Sequence, residues 1–334
     1  MWAKIIAAVA MPVVMAIAVG ALLVTTHHTK IPALTLPPIP SPAPSPSHGD
    51  TAGPTLTAFE KACRGKIPHP FAGIAVNNDI GQHVSDFQHM TGAHIRVVEF
   101  YNPFPGPFQD SEAMQATKLG ALPLIQLNPR KITMAGVVAG KYDAEIRSYA
   151  RTVRAFGCHV VLSFGHEMNR WWYPWGLPWT KPSVFIAAWR HFHDIFRAEG
   201  AFNVIWSWDP SHQYTEFKPG KAASPASDWY PGDRYVDWVG LDGYLNPRQN
   251  FKEVFTHQLA SIASVAGSKP VYLAETGVAP NIHEIRQIDD LFAGINHHHI
   301  AGLIWFDQNA KQRWELQGRR AAVAEYRKLV ASFP

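Results

Sequence analysis

Alternating strand-like and helix-like segments predict an α/β fold, a (β/α)8 TIM-type barrel in a single domain behind an N-terminal membrane segment and a Pro-rich linker. Three observations carry this. Eight short runs, mostly apolar from end to end, lie between Thr57 and Pro334, as parallel strands buried on both faces require. Amphipathic stretches of helical period fit between several of them. No Gly-rich phosphate loop follows the first run, which argues against the rival arrangement, an open doubly wound sheet.

Residues 1–30 read as a targeting segment and are set apart from the fold. Lys4 precedes Ile5 to Val24, a run without a charge that is long enough to span a bilayer as a helix. Pro12 is tolerated in such a helix. Ala18-Val19-Gly20 offers a small-x-small cleavage site, so a signal anchor and a cleaved signal peptide both stand. Continuation of the apolar run through Leu22, Leu23 and Val24 favours the anchor. The flanking charges favour a cytoplasmic N-terminus. Under either reading the rest of the chain is expected to be extracytoplasmic, membrane-anchored or secreted. Residues 31–56 form a linker with eight prolines among Ser, Ala and Thr. Such a composition gives extended chain at about 3.1 Å per residue, a stalk of roughly 75 Å.

The folded part is expected over 57–334. Its strands are Phe71–Val76, Ala93–Phe100, Leu122–Leu127, His159–Phe164, Asn203–Trp208, Tyr235–Leu241, Val271–Ala274 and Ala301–Phe306. A helix is predicted over Asp143–Phe156, with Ile146, Tyr149, Val153 and Phe156 on one face and Gly157 as its stop. A second runs over Pro182–Glu199, with Pro182 in the first turn, Phe185, Trp189, Phe192 and Phe196 as its buried stripe, and Gly200 at its end. Ala321–Val330 closes the chain as a helix.

Net charge is +4 and the basic residues are scattered, so nucleic acid is excluded as a partner. A monomer is expected. Aromatic residues make up 12% of the chain, with 12 Trp, which suits a surface that stacks on flat rings or sugar faces. Cys63 and Cys158 are the two cysteines. In an exported protein they are able to pair, closing a loop worth about 4–5 kcal/mol in the chain-entropy model. Two buried thiols are the other reading.

The chemistry concentrates at two acids. Glu167 follows the fourth strand, inside Ser163-Phe164-Gly165-His166-Glu167-Met168-Asn169, and Glu275 ends the seventh. Function in such barrels sits at the carboxyl ends of strands. Strands about 4.8 Å apart and tilted about 36° enclose a barrel of roughly 15 Å diameter. Two Glu side chains three strands apart and reaching inward then leave a gap of about 6 Å, near the 5–5.5 Å of retaining glycosidases and the 6.5–9.5 Å of inverting ones. Paired carboxylates surrounded by indoles are the equipment for cutting a glycosidic bond.

Three motifs carry a family resemblance, in the right order. Gly165-His166-Glu167-Met168-Asn169 with Trp172-Tyr173-Pro174-Trp175 resembles the acid/base motif of glycoside hydrolase family 26, a family of retaining β-glycanases on this barrel. Tyr272-Leu273-Ala274-Glu275-Thr276-Gly277 is similar to its nucleophile strand, and Tyr235 to Tyr244 to its sixth strand. The resemblance covers roughly Gly73 to Phe306. It implies that Glu275 is the nucleophile and Glu167 the general acid, then the general base. It further implies that Tyr244 orients the nucleophile, that His166 contacts the sugar hydroxyl beside the reacting carbon, and that Trp172 and Trp305 are stacking platforms. The substrate would be a β-linked polysaccharide, β-1,4-mannan or a mixed-linkage or β-1,4-glucan. Many mannanases of the family carry Arg after the strand-eight Trp. Phe306 and Asp307 stand there in this chain, which makes a glucan-type substrate a comparable expectation. A non-catalytic glycan-binding or cell-wall tethering protein is the alternative, against which the presence of both Glu residues argues.

Other features have plainer readings. Zinc-protease spacing fails because Arg170 stands where a second His is needed, and no Cys/His zinc spacing exists. The triplet His297-His298-His299 reads as a solvated turn. No metal or cofactor is implied, and no Gly-x-Ser-x-Gly elbow supports an esterase. The aromatics from Trp171 to Trp179 are expected as an exposed loop lining a sugar cleft. Of Trp206 and Trp208, two apart on one strand, one is expected in the core. Trp238 is expected to pack. Glu99, Asp209, Asp242 and Asp307 lie near strand ends as possible contacts, with Asn77, Asn128 and His212 as weaker ones.

Overall fold

A computed structural model describes Cys63 and residues 67–212, 224–310 and 312–334. The targeting segment at 1–30 and the linker at 31–56 lie outside the described residues. Among the described residues, no helix is long and apolar enough to cross a membrane.

Eight parallel strands close into one barrel in chain order. They are β1 Phe71–Ala75, β2 Ile95–Pro103, β3 Leu122–Asn128, β4 Val160–Phe164, β5 Val204–Trp208, β6 Trp238–Leu245, β7 Val271–Val278 and β8 Gly302–Phe306. The helices are α1 Ile80–Thr91, α2 Asp110–Lys118, α3 Met134–Val138, α4 Asp143–Phe156, α5 Pro182–Ala198, α6 Phe251–Ala266, α7 Glu284–His297 and α8 Arg320–Val330. Between β5 and β6 the described residues hold two 3-10 turns, Ala226–Trp229 and Asp233–Tyr235. The predicted stripes on α4 and α5 are buried, except that Phe156 is half-buried.

Each strand is apolar on both faces because each face has its own core. Alternate residues such as Phe71, Val97, Leu124, Val161, Ile205, Tyr272 and Ile304 fill the barrel interior. The residues between them, such as Val98, Ile125, Leu162, Trp206, Leu273 and Trp305, pack outward with Val84, Phe192, Leu291 and Tyr326 of the helices. This is the two-layer arrangement that alternation along buried strands produces.

The outward core claims several indoles. Trp206 and Trp208 both belong to it, so two residues of that strand are buried where one was expected. Trp238 fills the barrel interior against Phe71 and Tyr272. Trp305 points outward, fully buried. Its ring lies 5.3 Å from Tyr326 of α8, and its Nε1 donates to the Trp314 carbonyl at 3.1 Å. The expected role of Trp305 as a stacking platform is therefore corrected. On β8 the interior positions are Ile304 and Phe306, and Trp305 has the opposite parity.

Strand ends extend beyond their apolar runs. β2 continues through Tyr101 to Pro103, β6 to Leu245 and β7 to Val278. Cys63 and Cys158 form a disulfide across a separation of 95 residues. Cys158 precedes β4, and His159 Nδ1 lies 3.1 Å from the Cys63 carbonyl.

Candidate active site

Pleating alone would not bring Glu275 into the barrel. Tyr272 and Ala274 of β7 face the interior, so strict alternation would turn Glu275 outward. The register shows how it returns. Gly240 pairs with Tyr272, but Asp242 pairs with Glu275. On the other side Leu273 pairs with Leu303, but Thr276 with Trp305. One extra residue is thus inserted in β7 relative to both neighbours. Such a bulge re-aims the side chain that follows it. Gly240 gives the necessary room, since a Cβ there would stand 2.6 Å from Ala274 Cβ and would collide with Asp209.

Glu275 is 5% exposed and is gripped by two phenols. Tyr244 Oη donates to Oε2 at 2.6 Å, and Tyr101 Oη donates to Oε1. Tyr244 was expected here. Tyr101 was missed, because the apolar run of β2 ends at Phe100. The signal was parity, since Tyr101 lies two residues beyond Glu99 and shares its face.

Glu167 is placed by the exit of β4. Gly165 has φ 69° and Glu167 has φ 51°, and left-handed backbone in a non-Gly residue is a strained feature found often at functional sites. Two contacts hold it. Glu167 N–H donates to the Asp209 carbonyl at 2.7 Å, joining the exits of β4 and β5. Asn169 fixes the same junction, accepting from Ser211 N–H at 2.8 Å and donating to Ser211 O at 3.0 Å. Trp172 Nε1 donates to Glu167 Oε2 at 2.6 Å, and the Arg170 guanidinium lies 4.6 Å over the Trp172 ring.

Burial raises the Glu167 carboxyl to about 8, with the charge of Glu275 second. Hydrogen bonds from Trp172 and Ser211 and the charge of Arg170 oppose this. The two carboxyl groups thus sit in different environments, Glu167 raised by burial and by the charge of Glu275, and Glu275 held by two phenol hydroxyls.

His166 is buried, with Nε2 at 3.1 Å from Tyr173 Oη and its ring 5.8 Å from that of Tyr101. Burial lowers it to about 4, so its imidazole is neutral. Nδ1 has no hydrogen-bond partner among the described residues. The aromatic loop is mixed rather than wholly exposed. Trp175 is buried, donates to the His166 carbonyl at 2.7 Å and stacks on Tyr173 at 4.4 Å, whereas Trp172 is half-buried and Trp179 is 71% exposed.

The other acids separate into three kinds. Glu99 and Asp242 are buried, and both are pushed well above the usual carboxyl range by burial and then by the charge of Glu275. Neither Asp242 oxygen has a hydrogen-bond partner among the described residues. Asp209 accepts from Gln126 and Gly240 N–H and is raised by burial to about 6. Asp307 turns away from the pair, accepting from Leu316 N–H at 2.9 Å and lying 2.9 Å from His83 Nε2. Asn77 donates to Gln308, and His212 lies 2.9 Å from the Asp242 carbonyl. Trp314, which the sequence did not single out, stands 4.6 Å from the Tyr244 ring, and Phe306 meets that ring edge-on at 5.6 Å. The histidine triplet is exposed at the end of α7.

Comparison with known proteins decides the family. The model of Glycosyl hydrolase family 26 matches residues 131–326. The chain belongs to that family. Among its relatives, Endoglucanase H of Acetivibrio thermocellus is 28% identical over 270 residues, which are 75% of this chain and 29% of that protein. A mannan endo-1,4-beta-mannosidase of Bacillus subtilis is 31% identical over 133 residues, 38% of this chain and 32% of that one. The chain thus spans about a third or less of these relatives' lengths. A solved endo-beta-1,4-mannanase of Cellulomonas fimi shares the fold, with a TM-score of 0.63 at 17% identity over 83% of this chain and 74% of that one.

Proposed function

We propose that this family 26 protein is a retaining endo-β-glycanase working by double displacement. The observation that carries this is the opposed setting of the two acids. Glu275 receives hydroxyl hydrogen bonds on both oxygens, while Glu167 holds its proton to about pH 8. Glu275 would attack the anomeric carbon as Glu167 protonates the leaving glycosidic oxygen, giving a glycosyl ester and a freed sugar hydroxyl. Forming the ester removes the charge of Glu275, so Glu167 becomes more acidic and acts as base. It takes a proton from water, whose oxygen attacks the same carbon and releases Glu275. Two inversions retain the configuration.

Tyr101 and Tyr244 would orient the nucleophile, and Trp172 would hold Glu167 toward the bond. Neutral His166 has its Nδ1 available for a sugar hydroxyl. Trp314 and Phe306 replace Trp305 as the aromatic wall. A β-glucan is favoured over mannan by two features. Likeness to an endoglucanase runs over 75% of the chain, and after Trp305, where many mannanases of the family carry an Arg, stand Phe306, edge-on to Tyr244, and Asp307, committed to His83 and Leu316. The non-catalytic tether has no use for an acid that holds its proton beside a second carboxyl group gripped by two phenols.

The test is turnover of the full chain on lichenan, cellulose, β-mannan and β-1,3-xylan, with product sizing and proton NMR of the first-formed anomer. Oligosaccharides of retained β configuration from lichenan or cellulose are expected. Binding without cleavage of any of the four would favour the tether.

A further inference from the structure

A cavity opens on the same end of the barrel, and neither Glu167 nor Glu275 lines it. It has a volume of about 530 Å³ and lies between the β6–α6 and β7–α7 connections. Its lining includes Arg248, Lys252, His283 and Arg286, all exposed. None of Arg248, Lys252 and Arg286 has an ion-pair partner among the described residues. The one acid in the lining, Asp290, is spent on the first turn of α6, where it accepts from Phe251 N–H at 2.5 Å.

The floor of this cavity is fixed in advance. Gln287 is buried and donates to the carbonyls of Asn246 at 2.8 Å and Gln249 at 2.6 Å, while accepting from Asn281 at 2.7 Å. Both loops are thereby tied together. Arg248 is held with φ 71°, and a left-handed non-Gly residue at a loop tip points to a constrained side-chain placement. The N-termini of α6 and α7 border the cavity and add their partial positive charge.

The position links it to the catalytic acids. Tyr244, which donates to Glu275, precedes Arg248 by four residues, a reach of at most about 14 Å along the chain. Three cations without an ion pair among the described residues, against the single carboxylate of Asp290, leave this lining positively charged on balance. We propose that this cavity is a subsite for an acidic group, a carboxylate or sulfate, carried by a polysaccharide that lies across the barrel mouth. The proposal rests on the glycanase reading for its choice of ligand, and its test does not require turnover.

Affinity electrophoresis of the full chain through carboxymethyl β-glucan and through unsubstituted β-glucan provides that test, with the variant Arg248→Asn/Lys252→Gln/Arg286→Gln beside the native protein. All three replaced side chains are exposed, and the fold is checked by thermal unfolding. Native protein should be retarded more by the carboxymethyl polymer, and the excess should fade with added salt. Loss of three charge contacts should weaken binding to that polymer roughly tenfold and leave binding to the unsubstituted polymer unchanged. Equal retardation of native and variant chains by the carboxymethyl polymer would overturn the proposal. So would binding of inorganic phosphate alone, which would mark a free-anion site, or of phosphatidylglycerol vesicles alone, which would mark a membrane contact. Failure of all turnover with this binding pattern intact would refute the glycanase and leave the acidic subsite standing.

Discussion

Trp172 donates to the Glu167 carboxylate, and a bond to the charged form lowers the acid's pKa. Trp172→Phe should therefore raise Glu167 above about 8. On the proposed mechanism Glu167 must be protonated in free enzyme, so the alkaline limb of kcat/KM should move to higher pH. An unmoved limb would separate Glu167 from that limb. Glu99 gives a stability prediction of definite sign. Its folded-state pKa lies well above the ordinary value, so the native state keeps a proton that the unfolded chain has lost. Stability is full below about pH 4 and falls as pH rises through the folded value. Glu99→Gln removes that loss, and the Tm of the variant relative to native should grow between pH 4 and pH 8. Glu167, Glu275 and Tyr244 were legible in the sequence because each sits in a motif at a strand exit. Tyr101 was not, since a strand read from apolar residues stops where its polar, functional end begins.

Strand parity decides which aromatic residues of β8 face the barrel interior and which face the helices. Trp305 lies among the outward residues against Tyr326, whereas Trp314 comes from the following loop and covers Tyr244. Trp305→Phe should lower stability by about 1–2 kcal/mol through the lost bond and volume with KM unchanged, and Trp314→Phe should raise KM. A reversed pattern in unfolding and kinetic assays would restore Trp305 as a platform. All eight strands could be read from the sequence, because both-face burial leaves apolar runs. The bulge in β7 could not. It depends on pairing with β6 and β8 together, and no local pattern in Leu273-Ala274-Glu275 encodes a skipped partner.

At the scale of the whole molecule, the Cys63–Cys158 bond closes a long loop running from ahead of β1 to the start of β4. In the chain-entropy model it stabilises the domain by about 4–5 kcal/mol, so reduction should lower Tm by roughly 10 °C in a domain of this size. Calorimetry with and without reductant checks this, and an unchanged Tm would mean that the cross-link adds nothing beyond the barrel's own packing. The sequence left this pairing open, since 95 residues of separation say nothing about proximity until the strands are assembled.

The barrel, the bulge and the two phenols converge on one carboxylate, and its removal is the most direct test. Turnover of Glu275→Ala should be measured on whichever polysaccharide the native chain cleaves fastest, with the fold checked by thermal unfolding. The account predicts a folded protein slower by roughly a thousandfold or more, about 4 kcal/mol of lost transition-state stabilisation. A folded variant with near-native turnover would contradict it.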